Sequence, residues 1–239
     1  MRGGDYVIPD SQVSIGGRSG GSAAFGGLGL MGLAIGQSID AGLNQATIGK
    51  EEKNLALRFD AFVTDLLRKR IAAAPQGRQA LRVAARVDPS TQVEVLTSAR
   101  FFVTHPPGIP VLFFLDARFA SPGSAGRANL IHYLHLSPQP RPFTDGENGW
   151  ADQGGAPFRT VAYQAFDRLA AVFLADLRGE LRRNASDLKR VRWQSLAGTQ
   201  PVTGLLLYEH ADYIAAMPMF GETPSRNRTV IVERSVLLD

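Results

Sequence analysis

From residue 50 the apolar positions recur at steps of three and four. Leu55, Phe59, Phe62, Val63, Leu66, Leu67 and Ile71 fall on one stripe, which predicts an amphipathic helix. Glu51 and Glu52 sit at its start, and Arg68, Lys69 and Arg70 at its end. That order complements the helix dipole. Pro75 and Gly77 stop the helix. The period then changes to two. In TQVEVLTSARFFVT (91–104), Val93, Val95, Ala99, Phe101 and Val103 share a face, the pattern of a strand. IPVLFFLDARFA (109–120) and ANLIHYLHLS (128–137) predict two more strands, and the connectors HPPG and SPGSAGR are turn chemistry. Three strands on short connectors predict an antiparallel meander.

Residues 137–156, SPQPRPFTDGENGWADQGGA, are polar and predict a long loop. Pro157 then opens a second helix. Phe158, Val161, Ala162, Phe166, Leu169, Phe173, Leu177 and Leu181 line its apolar face, and it is expected to end near Asn184. Short strands follow around 203–208, 211–219 and 228–238. Helix, meander, helix and further strands make an α+β order: amphipathic helices packed on an antiparallel β-meander, with short C-terminal strands. The boundaries read as a flexible tail over 1–22, a glycine-rich apolar segment over 23–49, and an α+β domain over 50–239. Within that domain, 203–239 reads as a small β subdomain.

Composition adjusts this picture in three ways. Hydrophobic residues are 44% of the chain and charged residues 20%, so a substantial core forms and the bulk is not a disordered polymer. The formal charge of +4 is a mild basic bias. It suits an anionic surface and falls short of a nucleic-acid signature. The chain has no cysteine, which excludes disulfides, thiolate zinc sites and cysteine nucleophiles.

Eleven of the 25 glycines precede residue 37. Gly27 to Gly32 fit G-x-G-x-x-G, but the residues before Gly27, GGRSGGSAAF, make a poor strand. Glu51 and Glu52 begin a helix rather than ending a strand. A dinucleotide cradle needs both contexts, so none is expected. A membrane span needs about 20 predominantly apolar residues, and this run gives way at Gln37, Ser38 and Asp40. Gly32 and Gly36 form a G-x-x-x-G pair, which lets helix backbones approach closely. Three readings stay open: a full span, docking on a membrane surface or partner helix, or a glycine-rich element packed on the domain itself. The docking reading assigns Leu28, Leu30, Gly32, Leu33 and Gly36 to the contact.

Gly26, Gly27, Leu28, Gly32, Ile39, Asp40, Ala41 and Asn44, followed by the charged helix from Lys50, form a pattern. Together with W-A-D-x-G-G-A over Trp150 to Ala156, it resembles uncharacterised proteobacterial envelope proteins. Many of these are lipoprotein-like and have a glycine-rich N-terminal segment. The resemblance implies a periplasmic or outer-membrane-associated address and supplies no reaction or ligand site. It also implies an export signal, and the polar MRGGDYVIPDSQ lacks an apolar h-region. The envelope address is therefore expected on the condition that such a signal lies upstream of Met1.

Candidate chemistry is sparse. Gly17-Arg-Ser19-Gly-Gly21 matches G-x-S-x-G but sits in the glycine tail, without the strand and helix that hold a nucleophile elbow. His210 and Asp212 are only two residues apart and in the wrong order for that fold. His132 and His135 are three apart on a strand, hence on opposite faces. Asp116 and Arg118 share a strand face, where structural ion pairs are expected. Asp145, Glu147 and Asp152 lack the spacing of a calcium loop. Trp150 is expected to tuck onto the core. Arg178, Arg182, Arg183, Lys189, Arg190 and Arg192 form a basic stretch that reads as a solvated helix end or as a contact for an anionic surface.

The expected function is that of a non-enzymatic envelope protein with no cofactor and no metal. Its expected partner is another envelope protein or a membrane surface, with self-association as a further outcome and nucleic acid not expected. The alternatives are an enzyme with a site near the 137–156 loop, or a weakly basic nucleic-acid or polymer binder.

Overall fold

The computed structural model describes residues 13–17, 59–73, 93–103, 110–119, 129–137, 139–142, 146, 148–183, 186–194 and 201–238. The elements are β1 (Val13–Gly17), α1 (Phe59–Ala72), β2 (Val93–Val103), β3 (Val111–Phe119), β4 (Asn129–Leu136) and α2 (Asp152–Leu177). They continue with β5 (Arg190–Trp193), β6 (Val202–Glu209), β7 (Tyr213–Phe220), β8 (Thr223–Pro224) and β9 (Arg228–Glu233). A 3-10 turn (Arg234–Val236) and β10 (Leu237–Leu238) follow. The class is α+β, with two helices and one large mixed sheet among the described residues.

The strands run in the order β1-β2-β3-β4-β9-β7-β6-β5-β10, and β8 pairs with β7 off that path. β2, β3 and β4 pair antiparallel in sequence, with Ala99 opposite Phe113 and Leu115 opposite Tyr133. The strands of 203–239 continue this sheet, because β9 lies parallel against β4 and antiparallel against β7. β1 pairs parallel with β2, with Ile15 in register with Phe101. It falls inside the stretch whose glycine content predicts a tail. The alternation of Val13 and Ile15 is the strand signal that the flanking glycines mask.

The period of two explains which side chains meet the helices. Val111, Phe113, Leu115 and Ala117 of β3 are all fully buried in one core with Val63 and Leu67 of α1 and Phe158, Phe166 and Leu169 of α2. The Phe113 ring stacks on Phe158 at 5.9 Å and meets Phe166 edge-on at 5.6 Å. Arg70 of α1 donates from Nε and Nη2 to the Asp167 carboxylate of α2, at 3.0 and 2.7 Å. The opposite sheet face carries a second core of Trp193, Ile214, Ala216, Val230 and Val232. β7 is therefore buried on both faces.

α2 begins where Pro157 predicts and departs from its expected limit at the C-terminal end. Gln153, Gly154 and Gly155 are left-handed, so the regular helix begins after them, with Pro157 in its first turn. The helix stops at Leu177 rather than near Asn184. Gly179 takes φ +71°, its N–H donates to the Asp176 carbonyl, and the Glu180 N–H reaches back to the Ala175 carbonyl. This pair of bonds is a Schellman cap, which needs a residue free to adopt the left-handed region. The last predicted strand is also divided, with the 3-10 turn separating β9 from β10.

Gly204 of β6 tests the second core. A Cβ there would lie 2.8 Å from the Met217 carbonyl oxygen and 2.8 Å from the Trp193 ring. Gly204→Ala is expected to cost about 1–3 kcal/mol, the usual range for overpacking. A urea midpoint equal to wild type would show that Trp193 moves aside freely.

Candidate functional site

The polar side chains that the fold brings together lie where β4 and β9 meet under α2. Ile131, Tyr133 and His135 alternate toward the helix. The parallel register sets Thr229 beside Tyr133 and Ile231 beside His135. Glu233 follows on the same face, opposite Tyr213 of β7. The helix and its capping loop bring Arg168, Asp176 and Arg183 to this line.

The first cluster centres on Asp176. Its carboxylate accepts the Tyr133 hydroxyl at 2.6 Å and the Arg183 Nε–H at 2.8 Å, and Arg183 Nη2 bonds the same group. Arg183 Nη2 also donates to Thr229 Oγ1 at 2.7 Å, and its guanidinium lies 5.9 Å from the Tyr133 ring centroid. Burial raises the Tyr133 pKa, and the Asp176 charge and hydrogen bond raise it further. Tyr133 therefore stays protonated. Burial works against the Arg183 charge, but the bond and charge of Asp176 outweigh it and hold its pKa above the ordinary value.

The second cluster joins His135, Arg168 and Glu233. Arg168 Nη1 pairs with Glu233 Oε1 and lies 3.2 Å from His135 Nε2. His135 is 2% exposed. Burial, reinforced by the neighbouring Arg168 charge, lowers its pKa from 6.5 to about 3. Neutral imidazole has one acceptor nitrogen, and the arginine donor makes that nitrogen Nε2. The 3.3 Å approach of Nε2 to Glu233 is then two acceptors sharing one arginine, not an ion pair. His135 Nδ1 is buried without a hydrogen-bond partner.

A pH dependence follows. The unfolded chain protonates His135 as pH falls below about 6.5, and the folded chain resists until about pH 3. Stability is therefore fully present above pH 6.5 and is lost as pH falls through that window. The slope reaches up to about 1.4 kcal/mol per pH unit. His135→Leu should flatten the limb between pH 6.5 and 5, where carboxylates remain ionised. Parallel limbs in both proteins, measured by urea denaturation at each pH, would contradict this.

His132 projects from the other face, as the odd spacing requires. Its Nδ1 is 2.8 Å from Asp116 Oδ1 across the β3–β4 ladder. His210 is exposed, stacks on Tyr213 at 4.5 Å, and accepts the Asp212 backbone N–H at 3.3 Å. Among the described residues, no three His, Asp or Glu side chains are grouped to hold a metal ion.

The basic stretch does not form the helix end its sequence predicts. Arg178 to Arg183 lie in the capping loop, and Arg190 and Arg192 lie on β5. Arg183 turns inward to Asp176, so it is not a surface cation. Arg182 pairs with Asp187 at 3.0 Å, Arg190 with Glu222 at 2.8 Å, and Arg178 lies 4.0 Å from Glu180. Lys189 and Arg192 are exposed. Leu28, Leu30, Gly32, Leu33 and Gly36 lie outside the described residues, as do Ser19, Asp145 and Glu147. Among the described residues no helix is long and apolar enough to cross a membrane.

The 137–156 stretch contributes one open cleft of about 440 Å³, lined by Gln139, Pro140, Arg141, Pro142 and Asn148. Trp150 is fully buried beneath it, edge-on to Phe158 at 6.4 Å, with its backbone N–H bonded to the Pro142 carbonyl at 2.8 Å. The Arg141 guanidinium lies 5.6 Å from the Trp150 ring centroid. Neither Arg141 nor the Asp176 and Glu233 clusters stand out in the sequence. The available signals were Arg141 between two prolines, and Arg168 and Asp176 flanking an apolar helical stripe. Compared with known family models, curated proteins and solved structures, the chain matches none.

Proposed function

We propose that the protein is a non-enzymatic binding module of the cell envelope. The observation that carries this reading is the closure of its polar clusters. Asp176 is committed to Tyr133 and Arg183, and Glu233 to Arg168. A general acid or base must reach the proton it moves, whereas His135 is 2% exposed. In this reading these side chains hold amphipathic helices on an antiparallel β-meander. Among the described residues, the cleft over Trp150 is lined by amides, prolines and one guanidinium, with no carboxylate or histidine. That composition suits recognition better than proton transfer.

The glycine-rich run bearing Leu28, Leu30, Gly32, Leu33 and Gly36 is the proposed docking element, through close approach of small residues to a partner helix, a second copy or lipid. The periplasmic or outer-membrane address rests on its resemblance to envelope proteins. Sedimentation of the full chain with vesicles of phosphatidylethanolamine and phosphatidylglycerol, beside sedimentation velocity without lipid, tests the reading. Association in either assay is expected. A monomer that stays in the supernatant would overturn it.

A further inference from the structure

The cleft over Trp150 holds a cation whose hydrogen-bonding capacity is mostly unused. A guanidinium carries five N–H donors. Arg141 spends one, from Nη1 to the Asn148 carbonyl at 3.1 Å. Its Nε is buried with no acceptor. No carboxylate pairs with Arg141 among the described residues, whereas Arg70, Arg168, Arg182, Arg183 and Arg190 each have one.

The surroundings hold this cation in place. The buried Trp150 ring supports the guanidinium from below. Ser137 anchors the start of the loop by donating its N–H to the Val111 carbonyl at 2.9 Å. Asn148 adopts φ 59°, the left-handed region that asparagine tolerates at some cost. Its carbonyl bonds the arginine. Backbone held in sparsely populated regions is found at active sites, ligand clamps and switch regions.

We propose that this cleft binds a carboxylate carried by an extended peptide segment of a partner. The proposal rests on the reading of the protein as a binding module and names the chemistry of one contact. The planar fork of arginine matches a carboxylate with two parallel bonds. A single guanidinium balances one negative charge, and a phosphate dianion would call for a second cation, which the described lining residues do not include. Gln139 and Asn148 each carry both donor and acceptor atoms, the complement of a peptide backbone. Pro140 and Pro142 supply apolar walls. The volume falls within the usual range of ligand sites.

The probes are N-acetyl-trialanine with a free C-terminal carboxylate, the same peptide as its C-terminal amide, and inorganic phosphate. Each is titrated into the full chain while the Trp150 indole NMR resonance is followed. The acid peptide is expected to shift that resonance saturably. The amide is expected to bind at least about tenfold more weakly, since a charge-assisted bidentate pair is roughly twice as strong as a neutral one, and phosphate is expected to bind at least as weakly, since it has no peptide backbone for Gln139 and Asn148 to bond. Arg141→Gln should lose the response, and Arg141→Lys should retain part of it, because the charge persists without the fork. Thermal unfolding of both variants checks that they fold. The proposal is overturned if the wild type shows no saturable shift, if Arg141→Gln binds equally, or if phosphate or the amide binds as tightly as the acid. Vesicle and self-association assays on the wild type separate the two readings. Association in a wild type that shows no saturable peptide shift sinks the carboxylate contact alone, and absent association in the wild type sinks the binding module.

Discussion

Asp176→Ala should cost about 3–5 kcal/mol, the range for removing one partner of a buried ion pair. The carboxylate side chain is 12% exposed and that of Arg183 16%. The substitution strands the Arg183 charge in the interior and also removes the acceptor of the Tyr133 hydroxyl. Two desolvated donors are then left with one hydroxyl, Thr229 Oγ1, and the more distant Arg226 carbonyl between them. The cause is a stranded charge rather than lost packing, so a second variant separates the two. Replacing Asp176, Arg183 and Tyr133 together by Leu, Met and Phe should recover most of the loss, because a hydrophobic substitute for a buried pair is often neutral. Urea midpoints measure both. A single variant as stable as wild type would mean that water already reaches Arg183.

Phe166→Ala tests the other half of the core and should destabilise by about 3–5 kcal/mol. The ring is fully buried and meets Phe113 edge-on. Truncation leaves a cavity between α2 and β3 that neither element can close without disturbing Phe158, which also packs on Phe113. Leu at the same position should cost much less. An unchanged midpoint would mean that α2 presents a different face to the sheet.

The periodic elements were legible because one physical rule produces them. Val93 to Ala99 and Val111 to Phe119 alternate, and one set of alternate residues meets the helices. The stripe from Phe158 to Phe173 likewise falls on the buried face of α2. The end of α2 was not legible, because Gly179 is followed by ELRRN, which reads as more helix, and only the cap geometry reveals the stop. Strand order was beyond the sequence as well. Nothing local says that β9 lies parallel to β4, yet that pairing brings Thr229 and Glu233 under the helix. The Glu233 cluster depends on it, whereas Arg183 turns inward to Asp176, seven residues before it, because the chain leaves the helix at Gly179. His132 and His135 were separable because a strand of fixed pleat sends an odd step to the opposite face.

The proposed binding runs through a surface element, with the polar interior serving structure. Gly32→Leu and Gly36→Leu test it most directly, in co-sedimentation with phosphatidylethanolamine and phosphatidylglycerol vesicles and in sedimentation velocity. Both variants should lose vesicle association or self-association while keeping the wild-type unfolding midpoint. Association equal to wild type in both variants, or loss of folding together with association, would contradict it.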